Sequence, residues 1–363
     1  MLRHIDDFRD PAAAAALVAR IREDAGKGPV RIMEVCGTHT VAIARGGIRP
    51  LIEGAVAMVS GPGCPVCVTP DGYIDAAIAL GGRPGFTLAS FGDMIRVPGK
   101  SSSLEKEKAN GLDVRVVYSP LDAVALAAAS PEREVVFLGV GFETTAPAIG
   151  GAIRTAASRG AANFSVLSSL RTIPRAMGVL AADPDAGIDG FLCPAHVSAV
   201  IGSDAYLPVV REHRIPCIVA GFEPLDILLG ISMLVRQVRD GVARVENEYS
   251  RVATAGGNRV AQELLREVFV PCDTGWRGIG VLPGTGLRIA DRYAAFDAER
   301  KHGHPVVFGP ERTACRCGDV LKGKILPREC PLFGKACVPE DPYGPCMVSS
   351  EGTCAAYYRY GDA

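Results

Sequence analysis

The sequence predicts an α/β protein: two similar parallel-sheet α/β domains facing a central cleft, followed by a C-terminal domain built around something other than an apolar core. Three observations carry that expectation. Short β-branched apolar runs alternate with helical patterns as far as residue 265. Those runs are apolar almost throughout, as strands buried on both faces of a parallel sheet are. Six of the twelve cysteines then crowd into residues 315–354, together with five prolines and five glycines.

Taken in order, the strands of a first unit read as RIMEV (31–35), AVAMVS (55–60), FTLAS (86–90) and VRVVY (114–118). A second unit reads as EVVFLGV (134–140), FSVLSS (164–169), IDGFLC (188–193) and IPCIVAG (215–221). Helical patterns fall between them, among them GYIDAAIALGG, APAIGGAIRTAASRG and PLDILLGISMLVRQVRDG. A joint near AAASPERE (127–134) divides the chain into a first domain, 1–128, and a second, 129–265. The remainder, 266–363, forms the C-terminal domain. YSPLDAV (118–124) and GFEPLDIL (221–228) close their units alike, through either an internal repeat or shared strand-to-helix punctuation. WRGIGVLPGTGLRI (276–289) reads as a hairpin or a connecting strand. The cysteine-rich segment is too poor in apolar residues for a core of its own, so an inorganic staple is expected there.

Composition narrows the functional classes. The 363-residue chain is 48% hydrophobic and 22% charged, the balance of a soluble globular protein. A net charge of −1 and 6% aromatic residues give no electrostatic or stacking case for nucleic acid or an anionic membrane. The longest apolar run, ILLGISMLV (227–235), is too short to span a bilayer. The N-terminal MLRHIDDFRD is charged and lacks the apolar core of a secretory signal, so a cytoplasmic location is expected. In a reducing compartment, twelve cysteines point to metal ligation or thiol redox chemistry rather than structural disulfides.

Open parallel sheets bind ligands beyond the carboxyl ends of their strands. That rule assigns function to the loops CGTHT, GPGCPVC, FGDM, GFETTAP, CPAH and GFEP. Three other motifs fail on inspection. GVGFETTAPAIGG has Thr144 where a dinucleotide fingerprint needs glycine, and PGKSSS has Met94 where a phosphate loop needs one. HGH (302–304) lies on a polar stretch and reads as solvated.

Cys36 follows the first strand and faces a helix start, where amide dipoles would lower its pKa; His39 beside it could hydrogen-bond or supply a proton. Cys64 and Cys67 follow the second strand in a Cys-x-x-Cys frame, close enough for the three thiols to meet around iron or zinc, or for the pair to close as a disulfide. Any four of the six C-terminal thiols would suit an iron–sulfur cluster, with structural zinc as the alternative. Cys193, Cys217 and Cys272 read as buried small apolar residues.

Taken in sequence order, MEVCGTHTVAIARGGIR, SGPGCPVCVTP, FGDMIRVPG, GFETTAPA, CPAHVSAVIG, GFEPLDIL and WRGIGVLPGTGL resemble the successive motifs of the HypD family of hydrogenase maturation factors. The resemblance runs from about residue 30 to the C-terminus. The family's pattern Cys-x14-Cys-x6-Cys-x16-Cys fits Cys315, Cys330, Cys337 and Cys354. It implies that these four hold a [4Fe–4S] cluster and that Cys317 and Cys346 form a redox dithiol beside it. It further implies a scaffold for the Fe(CN)2CO group of [NiFe]-hydrogenases, more an assembly platform than a turnover enzyme. On that scaffold iron sits between a cysteine of the small chaperone HypC and Cys36, while HypE delivers cyanide. The chain would be a monomer that pairs with its chaperone. Cys64 and Cys67 match essential thiols of the family's cleft, and His39, Thr40, Glu143, Thr144, Thr145 and His196 match its polar residues. Val41, Ser60 and Ala195 stand where the family often has His, His and Gly. The residues alone also admit a [4Fe–4S]-dependent thiol–disulfide oxidoreductase acting on a partner, and a zinc-stapled binding protein.

Overall fold

The computed structural model describes residues 7–26, 28–309 and 314–361. The first six residues of the stretch read as lacking a secretory signal lie outside the described residues. β1 (Val30–Glu34) and β2 (Val56–Ser60) open one sheet. The chain then crosses to a second sheet and lays down β3 (Phe86–Ser90), β4 (Val114–Val116), β5 (Glu134–Gly141) and β6 (Phe164–Arg171). It returns to the first sheet for β7 (Gly190–Pro194), β8 (Cys217–Ala220) and β9 (Val245–Asn247). Finally β10 (Phe269–Trp276) and β11 (Gly280–Ile289) complete the second sheet.

The five-stranded first sheet has the order β2-β1-β7-β8-β9 and is parallel throughout. The six-stranded second sheet has the order β10-β11-β6-β5-β3-β4; its β6, β5, β3 and β4 run parallel, and the β10–β11 hairpin adds antiparallel to β6. Two parallel-rich α/β units are therefore present, but their strands are not drawn from consecutive stretches. The joint expected near 127–134 falls between β4 and β5, which share a sheet. Local strand–helix rhythm carries no label for sheet membership, so the simplest grouping, four then four, was the wrong one. The stretch at 276–289 proves to be the second arm of a hairpin whose register shifts by a bulge between Cys272 and Thr274.

Side-chain alternation along the strands builds three apolar layers. Ile32, Leu192 and Ile218 face outward from the first sheet and pack with Ile227, Ile231 and Leu234 of the helix Pro224–Arg239. Val135, Phe137 and Val166 face outward from the second sheet against the helix Ala146–Arg159. The alternate residues, Met33, Val59, Val136, Leu138 and Leu167, point inward into one shared cluster that also takes in Cys67, Cys317, Cys346 and Cys354. The C-terminal segment thus completes the core between the sheets. From residue 314 on, the described chain contains no strand, only short helices, of which Thr353–Tyr360 packs on Gly37–Arg45, while β10 and β11 of the expected 266–363 domain belong to the second sheet.

The two PLD sequences start helices at Pro120 and Pro224, and each helix opens with a capping box, Ser119 with Asp122 and Glu223 with Asp226. A shared local device accounts for their likeness. Among the described residues, no helix is long and apolar enough to cross a membrane.

Interleaving has a direct consequence for fragments. Residues 1–128 hold β1 and β2 without β7, and β3 and β4 without β5. Expressed alone, this fragment is expected to show no cooperative urea transition by circular dichroism; a sharp two-state transition would contradict the interleaved arrangement.

Candidate functional site

β1 ends at Glu34, and two residues later Cys36 caps the helix Gly37–Arg45 in an extended conformation (φ −149°, ψ 123°). The backbone N–H groups of His39 and Thr38 lie near the Cys36 sulfur and favour its thiolate, without forming a side-chain capping hydrogen bond. These amides were expected to lower the thiol's pKa. Burial works the other way and is the larger effect: it pushes Cys36 up to about 12, with the carboxyls of Glu351 and Glu34 adding to the rise. An amide pair stabilises a thiolate, but removing the sulfur from water costs more.

The loop after β2 lies directly on this cap. The Gly37 N–H donates to the Gly63 carbonyl at 3.0 Å. A Cβ on Gly63 would stand 2.2 Å from Cys36 N and 2.4 Å from its Cα, so only glycine permits the approach. Immediately beyond, Cys64 Sγ accepts the Cys67 N–H at 3.2 Å and donates to Ser349 Oγ at 3.3 Å. Glu351 Oε1 accepts the Thr38 hydroxyl at 2.8 Å. The turn 349–352 therefore touches both thiol loops from the far end of the chain.

The thiols form a continuous row. Cys67 meets the side chains of Cys64 and Cys346; Cys346 meets Cys317 and Cys354; Cys317 meets Cys315. All are free thiols, and burial pushes Cys67 well above the ordinary range. Cys317 and Cys346, expected as a dithiol, are adjacent, and Cys346 bridges them to Cys67.

Cys315 and Cys354 both lie close enough to Cys337 to influence it electrostatically, and Cys330 is buried at the end of the turn Pro327–Glu329. The Tyr343 amide donates to Cys337 Sγ at 3.3 Å. A Cβ on Gly344 would stand 2.8 Å from Cys315 Sγ, so the absence of a side chain lets the backbone pass close to that sulfur. Among the described residues no three ligating side chains converge on a single metal ion. Soft thiol donors, a sulfur-directed amide and a glycine that admits close approach are the kind of surroundings that suit an iron–sulfur group.

The polar residues divide between the sheets. His39 is buried with Nε2 at 3.1 Å from the Ala220 carbonyl and 2.8 Å from that of Gly221. Two acceptors fix the proton on Nε2, leave Nδ1 as an acceptor without a partner, and make the ring a poor proton donor. Burial also lowers its pKa to about 4. His39 and the exposed His196 both pack on Phe222, at 4.8 Å and 4.3 Å between ring centres. Thr40 Oγ1 lies 2.6 Å from Glu34 Oε1 and 3.2 Å from the Cys36 carbonyl. Glu143 stands at the end of β5 on the other sheet, where Oε1 accepts the Ile173 N–H at 2.9 Å and Oε2 has no partner. It lines a separate cavity of about 960 Å³. Thr144 is exposed and Thr145 half-buried beside it.

Other sequence expectations resolve simply. Cys193 and Cys217 are fully buried within the first sheet, their thiols 3.8 Å from the carbonyls of Phe191 and Ile215. Cys272 is only half-buried, because it sits at the hairpin bulge. His302 Nε2 binds Glu134 at 3.1 Å instead of lying in solvent. Lys100 N donates to Asp75 at 3.0 Å, so the PGKSSS loop is closed on its own neighbour.

Three site residues were not singled out from the sequence. Glu34 is wholly buried, with burial pushing it up to about 7 against the hydroxyls of Ser60 and Thr40. A lone carboxyl ending an apolar strand was a usable signal. Ser349 and Glu351 reach the site from roughly three hundred residues away, and local pattern holds no trace of that.

The family model HypD, described as the hydrogenase formation hypA family, matches residues 12–361. Hydrogenase maturation factor HypD of Azotobacter vinelandii is 48% identical over 368 residues, covering 99% of this chain and 97% of that protein. HypD of Rhodobacter capsulatus is 45% identical over 375 residues, covering 100% and 99%. HypD of Escherichia coli (strain K12) is 45% identical over 370 residues, covering 99% and 98%.

Glu143 yields a test in pH. Burial raises its carboxyl from 4.5 to about 7. The folded chain then keeps a proton that the unfolded chain releases, so this group lowers stability as pH rises from about 4.5 to 7, at on the order of 1.4 kcal/mol per unit. Glu143→Gln is expected to match the wild type near pH 5 and exceed it at pH 8 in urea titrations followed by Trp276 fluorescence. A wild-type-to-variant gap that stays constant with pH would refute the buried, unpaired carboxyl.

Proposed function

This chain belongs to the HypD family of hydrogenase maturation factors, and from that premise we propose that it is the scaffold on which the Fe(CN)2CO group of [NiFe]-hydrogenases is assembled. Iron is the cargo. Cys36 holds it together with a cysteine of a HypC-type chaperone, while cyanide from a HypE-type donor and a carbonyl ligand are attached. The chain acts in the cytoplasm as one member of a heterocomplex and is not itself a turnover enzyme.

The observation that carries the reading is the row of thiols from Cys64 to Cys315, which begins beside the Cys36 cap. A [4Fe–4S] cluster held by Cys315, Cys330, Cys337 and Cys354 would supply one-electron reducing equivalents. Cys317 and Cys346 form one dithiol, Cys64 and Cys67 another. Each gives up two electrons and two protons when it closes as a disulfide, and takes them back when it opens. Contact between Cys67 and Cys346 allows exchange between the pairs without a diffusing carrier. Amides of the helix start lie near the Cys36 sulfur, and burial keeps most water from it. Glu143, Thr144 and Thr145 belong to the other sheet, whereas His196 is exposed on the Cys36 side, against Phe222 with His39; a partner protein would be met across these two groups.

The same row would serve a thiol–disulfide oxidoreductase acting on a partner, and that is the second reading. Infrared spectroscopy of the chaperone complex, purified without oxygen, separates the two. The scaffold reading expects bound cyanide and carbonyl bands in the wild type, and their loss together with hydrogenase maturation in Cys36→Ala. Absence of the bands from the wild type, or maturation that survives Cys36→Ala, would leave the oxidoreductase.

A further inference from the structure

We infer that Glu351 is a positioning residue for Cys36, and that through it the C-terminal thiol segment holds the iron-binding cap in shape. The inference deepens the scaffold reading and rests on it for its functional sense. Its structural content rests on contacts that span the whole chain.

The helix Gly37–Arg45 begins directly after Cys36, with its first amides near the Cys36 sulfur. Thr38 carries one of those amides, and its hydroxyl donates to Glu351 Oε1 at 2.8 Å. The backbone contact is closer still. A Cβ on Gly37 would stand 2.6 Å from Glu351 Cβ and 2.8 Å from the Glu351 carbonyl oxygen, so the 349–352 turn is pressed flat against the first residue of the helix. That turn is itself braced: the Glu351 N–H donates to Ser349 Oγ at 3.2 Å, and the same hydroxyl accepts from Cys64 Sγ at 3.3 Å. Gly352 packs on the Cys346 carbonyl so closely that a Cβ would come within 2.1 Å of it.

Glu351 is therefore flanked on one side by Cys346 and on the other by Cys354, three residues on in the helix Thr353–Tyr360. Any movement of those thiols pulls on a carboxylate that is hydrogen-bonded to the Cys36 cap. A short side chain at 351 would break that tie while leaving both thiol loops their own backbone bonds. The geometry makes Glu351 a mechanical link between the redox thiols and the iron-holding sulfur, in a position where its charge is a hindrance to a thiolate rather than a help.

The test follows alkylation of individual cysteines by iodoacetamide at one pH in the full-length protein, read by peptide mass spectrometry. Glu351→Ala is expected to speed labelling of Cys36 about tenfold, the scale of one lost hydrogen bond to a charged group. Glu351→Gln, which keeps an acceptor for Thr38 but no charge, is expected to stay within about twofold of wild type. Thr38→Val, which removes the contact from the other side, is expected to reproduce Glu351→Ala. Cys193, sealed in the first sheet, reports on the fold; if its labelling rises with that of Cys36 in Glu351→Ala, Thr38→Val decides alone. Unchanged Cys36 labelling in Thr38→Val, or equal effects of Gln and Ala at 351, would overturn the positioning role. Infrared spectra of the chaperone complex make a second arm: displaced cyanide and carbonyl bands in Glu351→Ala, restored in Glu351→Gln, are expected. Bands missing from the wild type would defeat the scaffold reading and leave the labelling result standing.

Discussion

Gly63 lies so close to the start of the helix Gly37–Arg45 that one added carbon would stand 2.2 Å from a backbone nitrogen. That contact joins the loop after β1 to the loop after β2, and the rest of the site depends on it. With it, the Cys36 cap and the Cys64–Cys67 turn share one wall. Without it, Cys36 would be a thiol at the end of a strand, with no fixed relation to the dithiol. The approach explains why glycine and proline crowd the segment 61–65. A loop that must lie flat on another backbone has no room for side chains, and proline limits the ways it can move.

A second constraint is the interleaving of the two sheets. β7 pairs with β1 although about 155 residues separate them in sequence. The inner faces of the two sheets consequently share one apolar cluster, and the C-terminal thiols are part of it. Burial on that scale raises the pKa of the Cys36 and Cys67 thiols and of the carboxyls of Glu34 and Glu143. Burial favours neutral Cys36 and Cys67 at rest, and a bound cation is what would draw a proton from Cys36.

Much of this was legible in the sequence, and the reasons it was so are local. β1, β2, β3 and β5 are apolar runs bounded by punctuation, and they fall within a residue or so of their expected limits. Cys36 at a helix start and the Cys-x-x-Cys turn are decided by a handful of neighbouring residues. Sheet membership was not legible, because a buried parallel strand looks alike in either sheet. The direction of the Cys36 pKa shift was missed because helix amides are visible in sequence and desolvation is not. Ser349 and Glu351 escaped notice because their roles exist only once the two ends of the chain meet.

The central claim is that Cys67 and Cys346 touch, so that the two dithiols form one row. It is tested most directly by trapping them. In a Cys64→Ala, Cys317→Ala double variant each thiol has lost its own partner. Mild oxidation with diamide, digestion and mass spectrometry should then recover a peptide in which Cys67 is disulfide-bonded to Cys346. Separate alkylation of both residues, with no linked peptide, would show that the row is broken there.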